Sequence, residues 1–272
     1  MTLSPRTLLG LALSALAVGC AAPSIDPAEE QLAADGTQAM EASSQSTSMG
    51  QVVFDNVSAS DPTAAAAMLS QPSKWPSACV TRAQDPISPA VSHLTLDDCT
   101  GPFGLVHIDG DEVVTFSAGD GALHATFAGA NVTADGRPVA YSAGADLTFP
   151  DLMSRTVIWK GSWSRVDDAG ETVAHTLDVE ITVDLATHCA SSTGSAVTMV
   201  DDREVDSSIT GYELCRDPAT GAVGCPKGTV THTGELSGKT VTVRFDGSDL
   251  AQVTGPGGAS FGVAMACTAL GQ

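Results

Sequence analysis

Hydrophobic and polar residues alternate along most of the chain after Ala78. Between Val173 and Leu185, the residues Leu177, Val179, Ile181, Val183 and Leu185 share one parity, and Asp178, Glu180, Thr182 and Asp184 share the other. Such a period of two belongs to a strand with one face in a core and one in water. Val241, Val243 and Phe245 against Thr242 and Arg244 repeat the pattern, as do Phe261, Val263, Met265 and Cys267 against Gly262, Ala264 and Ala266. Each apolar set is expected on a buried face. Thr- and Val-rich runs are separated by Asp109-Gly110, Asp120-Gly121, Asp135-Gly136, Asp246-Gly247, Ser237-Gly238 and the stretch from Gly255 to Gly258. Tight hairpins need Gly or Asx at such positions because their central residues take positive φ. The pattern predicts an all-β body, an antiparallel meander forming a sandwich or barrel that limits its exposed edges. One short helix precedes it. Asp61-Pro62-Thr63 followed by Ala64 to Leu69 reads as a capped helix start, with Asp accepting from the first turn and Pro suited to its first position, and Pro72 and Pro76 end it.

The first residues follow a different rule. Arg6 is the only charge before an apolar run from Leu8 to Val18, which closes in Gly19-Cys20. That run is about half the ~20 residues a spanning helix requires, so residues 1–19 read as an export signal rather than an anchor. Leu16-Ala17-Val18-Gly19-Cys20 resembles the signal of bacterial lipoproteins, in which a small residue precedes a Cys that is diacylated and becomes the mature N-terminus. The resemblance implies lipid attachment at Cys20. Because Ala21 rather than Asp follows, it also implies the outer membrane or cell surface. Cleavage at the small residues Cys20-Ala21-Ala22 is the alternative reading.

From Ala21 to about Gly50 the chain holds five acidic residues, no basic one and no aromatic. A stretch so poor in large apolar groups is expected to stay a disordered tether. Residues 20–50 are thus read as lipidated Cys and tether, and 51–272 as a single β-rich domain. Overall, 32 acidic residues face 12 basic ones, for a net charge of -20. Nucleic acid and anionic lipid headgroups are bound through clustered Lys and Arg, so this balance excludes both as partners. Attachment to a membrane is left to the N-terminal lipid.

Six cysteines remain after Cys20: Cys79, Cys99, Cys189, Cys215, Cys225 and Cys267. An even number in an exported chain reads as disulfides, and the spacing shows no Cys-x-x-Cys pair for zinc. Proximity along the chain suggests Cys79–Cys99, Cys215–Cys225 and Cys189–Cys267, among the several pairings open to six thiols.

Candidate chemistry is sparse. Gly258-Ala259-Ser260-Phe261-Gly262 spells a nucleophile elbow, yet no His follows His232 and no helix can follow in the few residues left. His93 shares a strand face with Thr95 and Asp97, and His107 with Asp109, while His124 falls on a wet face. No compact ligand pattern results, and neither metal nor cofactor is expected. The acidic groups Asp109-Gly110-Asp111-Glu112 and Asp201 to Asp206 lack the spacing of a calcium loop and read as solvated charge. Trp159 and Trp163 share the face of Val157; exposed, they would stack sugar rings, and buried, they would form core.

The stretches Cys99-Thr100-Gly101-Pro102-Phe103-Gly104, His188 to Gly194 and Cys225-Pro226-Lys227-Gly228-Thr229 resemble uncharacterised β-rich lipoproteins of high-GC Gram-negative bacteria. That resemblance brings no activity with it. The sequence therefore leads to a lipid-anchored envelope protein, most simply a non-catalytic structural or binding module with an envelope protein or glycan as partner. A carbohydrate-binding module using Trp159 or Trp163, or a secreted hydrolase, are the alternatives.

Overall fold

The structure is a computed structural model and describes residues 27–71, 79–100, 107–167, 169–217, 219, 224–265 and 267. The export signal, Cys20, Pro72 and Pro76 lie outside the described residues. Two helices, α1 (Pro27–Asn56) and α2 (Pro62–Leu69), precede the strands. The first seven strands are β1 (Val80–Gln84), β2 (Val91–Thr100), β3 (His107–Ala118), β4 (Leu123–Ala134), β5 (Arg137–Pro138), β6 (Ala140–Thr148) and β7 (Ser154–Val166). The remaining seven are β8 (Thr172–Asp184), β9 (Cys189–Val200), β10 (Arg203–Cys215), β11 (Lys227–Gly234), β12 (Thr240–Asp246), β13 (Leu250–Thr254) and β14 (Ser260–Ala264).

Each strand pairs antiparallel with the next along the chain, apart from the two-residue β5, which pairs only with β4. The expected all-β meander is what the chain forms. It makes one open sheet, with β1 and β14 at its ends. Thirteen strands side by side would span roughly 60 Å if flat, yet inward residues from Val80 on β1 to Ala251 on β13 are buried in one core cluster. The sheet must therefore curl, and Phe127 on β4 meets Trp159 on β7 edge-to-face with ring centroids 4.9 Å apart.

Helix α1 fills the resulting trough. It packs against β7 to β12, while α2 covers β1 to β3. This corrects the expected tether: residues 27–56 are helical and folded into the body. Among the described side chains of α1, the buried positions are Leu32, Asp35, Gly36, Ala39, Ala42, Ser46, Gly50 and Val53, which recur at helical spacing. They are mostly small, so α1 gives little sign of a buried face in the sequence, but its backbone can come close to the sheet. At Gly161 on β7 the approach is so tight that an added Cβ would stand 2.5 Å from Ser46 Oγ. A helix of this composition is marginal alone and takes its stability from packing. Among the described residues, no helix is long and apolar enough to cross a membrane.

Helix α2 starts as its sequence indicates: Asp61 Oδ1 accepts from the Ala64 amide at 2.8 Å and Pro62 opens the first turn. The Asp-Gly markers hold at 120–121 and 135–136, between strands, and at 246–247, where Asp246 ends β12 and Gly247 opens the turn to β13. Asp109-Gly110 departs from them, lying inside β3 at a register shift against β4. Gly110 has φ +127°, and a Cβ there would sit 2.6 Å from Val132 Cα, so the pair marks a bulge.

Three disulfides form: Cys79–Cys99, Cys189–Cys215 and Cys225–Cys267. The first agrees with the proximity reading, and the expected Cys215–Cys225 and Cys189–Cys267 pairs do not form. Cys189 and Cys215 are direct register partners across β9 and β10, a neighbourhood that separation along the chain does not reveal.

Replacing Gly161 by Val should push α1 off the sheet and cost about 1–3 kcal/mol of stability, read as a lowered denaturation midpoint. Non-reducing digestion should yield a peptide joining Cys189 to Cys215 and none joining Cys215 to Cys225.

Candidate functional site

Polar groups inside the trough gather under α1. Inward positions on the strands alternate with outward ones, and this parity turns His175, Thr198, Ser207 and His232 toward the helix, each at most 4% exposed. His175 Nδ1 lies 2.9 Å from Thr198 Oγ1 and its Nε2 3.3 Å from Ser43 Oγ on the helix. His232 Nδ1 lies 2.8 Å from Ser207 Oγ, while its Nε2 has no hydrogen-bond partner among the described residues. A Cβ added at Gly36 would be 3.4 Å from the His232 ring, so the glycine lets the helix pass over it. Trp159 Nε1 donates to Ser46 Oγ at 3.4 Å. Burial pushes both imidazoles down to about 4, with each other's charge a further cause for His175. Both rings are neutral at pH 7.

Two guanidinium groups clamp the same helix. Arg203 on β10 holds Asp35 through both carboxylate oxygens, at 2.9 and 3.0 Å, and reaches Glu171 at 2.8 Å. These carboxylates raise its pKa, and the pairing accounts for a buried Asp35. Arg165 on β7 donates to Glu41 at 3.0 Å and Gln38 at 3.1 Å while lying over the Trp163 ring, 5.1 Å from its centroid. Ser43 beside His175 has the outline of a nucleophile and base. Its third member is a hydroxyl, and the ring is 1% exposed, so the pair works as a fastening between helix and sheet.

A second buried group stands apart. Glu112, which the sequence reading placed in a solvated acidic loop, is 1% exposed and shares its strand face with Ile108, Val114 and Phe116. Desolvation raises its pKa to about 8; nearby Tyr141 opposes the rise, though its hydroxyl does not reach hydrogen-bond geometry. The carboxyl is held as a neutral acid at pH 7.

Trp159 and Trp163 are 0% and 3% exposed, so neither ring is offered for sugar stacking, and both belong to the core. Three histidines lie at the surface in separate pairs, His93 with Asp85, His107 with Asp98 and His124 with Asp146. Among the described residues, no group of three or more His, Cys, Asp or Glu could hold a metal ion. Ser260 begins the exposed edge strand β14 and contacts Thr254 Oγ1 at 2.6 Å, with no base beside it in that contact.

The outer face is the other candidate surface. Thr115, Thr126, Gly144, Lys160, Asp178, Ser195, Ser208, Thr231, Thr242, Thr254 and Ser260 are successive register partners from β3 to β14. Neighbouring strands are ~4.8 Å apart, so from β3 to β14 this row sets mostly hydroxyl groups at regular intervals, broken in the middle by Gly144 and the charged Lys160 and Asp178. At its middle lies an open depression of about 490 Å³, bordered by Ser142, Ser162, Thr176 and Ser195 and by the ion pair of Lys160 with Asp178 at 3.0 Å.

Sequence reading missed His175, His232 and Glu112 as buried groups, although parity was available for each: Val173 and Leu177 flank His175, and Val114 and Phe116 continue the face of Glu112. The partners on α1 carried no signal, because they are separated from the strands by more than a hundred residues.

Arg203→Ala leaves Asp35 buried without its partner and should cost about 3–5 kcal/mol, with much of the loss recovered when Asp35 is replaced by Leu in the same chain. The titrations have opposite signs. The histidines charge near 6.5 when unfolded but near 4 when folded, so they add stability that is lost as pH falls through that window. Glu112 ionises near 4.5 unfolded and about 8 folded, so stability falls as pH rises between these values, by up to about 1.4 kcal/mol per pH unit for one proton. Glu112→Gln should therefore gain on the parent in chemical denaturation at pH 8 and not at pH 4; an equal difference at both would refute the buried-acid reading.

No family model, curated protein or solved structure matches the chain.

Proposed function

We propose that the protein is a lipid-anchored envelope protein, attached through diacylated Cys20 at the outer membrane or cell surface, whose β-body is a non-catalytic binding module. The carrying observation is the row of mostly hydroxyl residues from β3 to β14 on the outer face, whose centre is the depression that holds the Lys160–Asp178 ion pair between Ser142 and Ser195. A surface of short, regularly spaced donors and acceptors suits contact with another broad polar surface in the envelope, such as a protein face or a neutral glycan. The acidic excess disfavours anionic partners, because like charges brought together at an interface weaken it. Disulfides support an oxidising compartment, as expected of an exported chain. From β7 to β12 the inner face is occupied by the chain's own helix, which leaves the outer face and the sheet edges as the places where a partner would be met.

The N-terminus is tested by mass spectrometry of the purified protein, expected to show a diacylated Cys20; an unlipidated start at Ala21 or later would sink the anchor. The binding surface is tested by capture of envelope proteins and glycans. Ser162→Arg with Ser195→Arg should weaken any saturable partner by tenfold or more at an unchanged melting temperature. Binding indifferent to those changes would remove the outer face from the proposal, and turnover of an ester, peptide or glycoside would remove the non-catalytic reading.

A further inference from the structure

The last strand ends the sheet unlike the rest. Among the described residues β14 pairs on one side only, with β13, and the register shows no bulge. Sheet edges are ordinarily blunted by a charge, a proline, a bulge or a covering segment, since unpaired backbone groups otherwise attract another strand. Ser260-Phe261-Gly262-Val263-Ala264 has no charge and no proline. Its inward side chains were expected to be buried, but Phe261 is 57% exposed and Val263 42%. Helix α1 packs as far as β12, where Leu32 and Val241 share a small core cluster that Val253 on β13 packs against, and among the described residues no helix packs closely on β14. At the opposite edge, β1 carries Arg82 and is tied to β2 by Cys79–Cys99.

We infer that β14 is a self-association edge, through which two copies of this chain join their sheets by antiparallel pairing about a two-fold axis at Gly262. Charge selects the occupant. The chain carries a net charge of -20, so two copies repel across most of their surfaces, yet no charged residue occurs from Leu250 to Gln272. This neutral edge is where the copies can meet without that opposition. The sequence is also self-complementary there: an axis at Gly262 sets Phe261 opposite Val263 of the second copy, and Ser260 opposite Ala264. Aromatic and β-branched side chains facing each other across antiparallel strands are a favourable pairing. Each copy would then cover the apolar residues that the other leaves exposed, and the isologous contact closes at two.

The test is sedimentation of the full purified chain in detergent, over a range of concentrations and salt, with protein mass resolved from bound detergent. The expected result is a monomer–dimer equilibrium that tightens as salt screens the acidic bodies. Gly262→Asp places two carboxylates face to face across the axis, and a Cβ at this residue meets only Leu250 Cδ2, at 3.9 Å. It should raise the dimer dissociation constant at least tenfold at an unchanged melting temperature, whereas Thr81→Asp on β1 should leave it unchanged. If Gly262→Asp fails to fold, Val263→Lys and the salt dependence of the parent decide in its place. A parent that stays monomeric at all concentrations, or a dimer indifferent to β14 substitution, overturns the inference. So does a monomer whose β14 amides resist hydrogen exchange, since the chain's own N-terminal residues would then cover the edge.

Discussion

An antiparallel sheet with one apolar face has to cover that face, and here the cover is α1 lying in the trough. Everything else in the body follows from this contact. Thirteen strands in one row expose far more inner surface than a single helix can shade, so the sheet curls until residues from β1 to β13 share one core. The curl is tight because the helix is thin: Gly36, Ala39, Ala42 and Ser46 present almost no side chain, and Gly161 answers them from the sheet. Large residues on the helix would have held it farther out, and small ones place its backbone over the strand side chains. Dispersion contacts grow as gaps close, so this narrow fit supplies stability that the helix composition lacks by itself.

Close packing alone does not fix where along the trough a smooth helix rests. Polar contacts do. Arg203 grips Asp35 near one end, Arg165 reaches Gln38 and Glu41, and His175 and Trp159 meet Ser43 and Ser46 farther along. Each is directional, and sliding the helix by one turn would strand a buried charge or hydroxyl. Buried ion pairs add little net stability over apolar substitutes, yet the penalty for breaking one is large, which suits them to setting register. Glu112 has no such compensation. Its carboxyl sits on an apolar face near Tyr141, among the described residues has no partner in hydrogen-bond geometry, and remains protonated at neutral pH, so it weakens the fold as pH rises.

With its own helix inside, the molecule turns two kinds of surface outward. One is the broad outer face with its row of hydroxyl groups, and the other is the neutral edge at β14. They differ in charge as well as shape: the outer face carries Lys160 and the carboxylates of Asp178, Glu180 and Asp206, while the last strand and its flanks carry none. Contact through either would leave the trough undisturbed. The His–Asp pairs at 93, 107 and 124 lie apart on the surface, local in reach, each tied to the turn or strand beside it.

Strand identity and parity were legible in the sequence, because a half-buried strand alternates residue by residue: Leu177 to Val183 and Val241 to Phe245 are buried as the pattern states. The cap at Asp61 and most Asp-Gly turns were legible for the same local reason. What the sequence could not convey depended on contacts distant along the chain. Residues 27–56 look like a tether because a helix that packs through glycine, alanine and serine lacks the apolar stripe by which buried helices are recognised. Cys189 pairs with Cys215 because β9 and β10 are neighbours in register, and proximity along the chain misled. Phe261 and Val263 obey the strand alternation but are exposed, since parity names a face and only the extent of α1 decides whether that face is covered. By itself the sequence determined the strands, their turns and the acidic, cysteine-bearing character of the chain; the tertiary structure decided which face was filled, by what, and where the filling stopped, because burial depends on partners that no local pattern encodes.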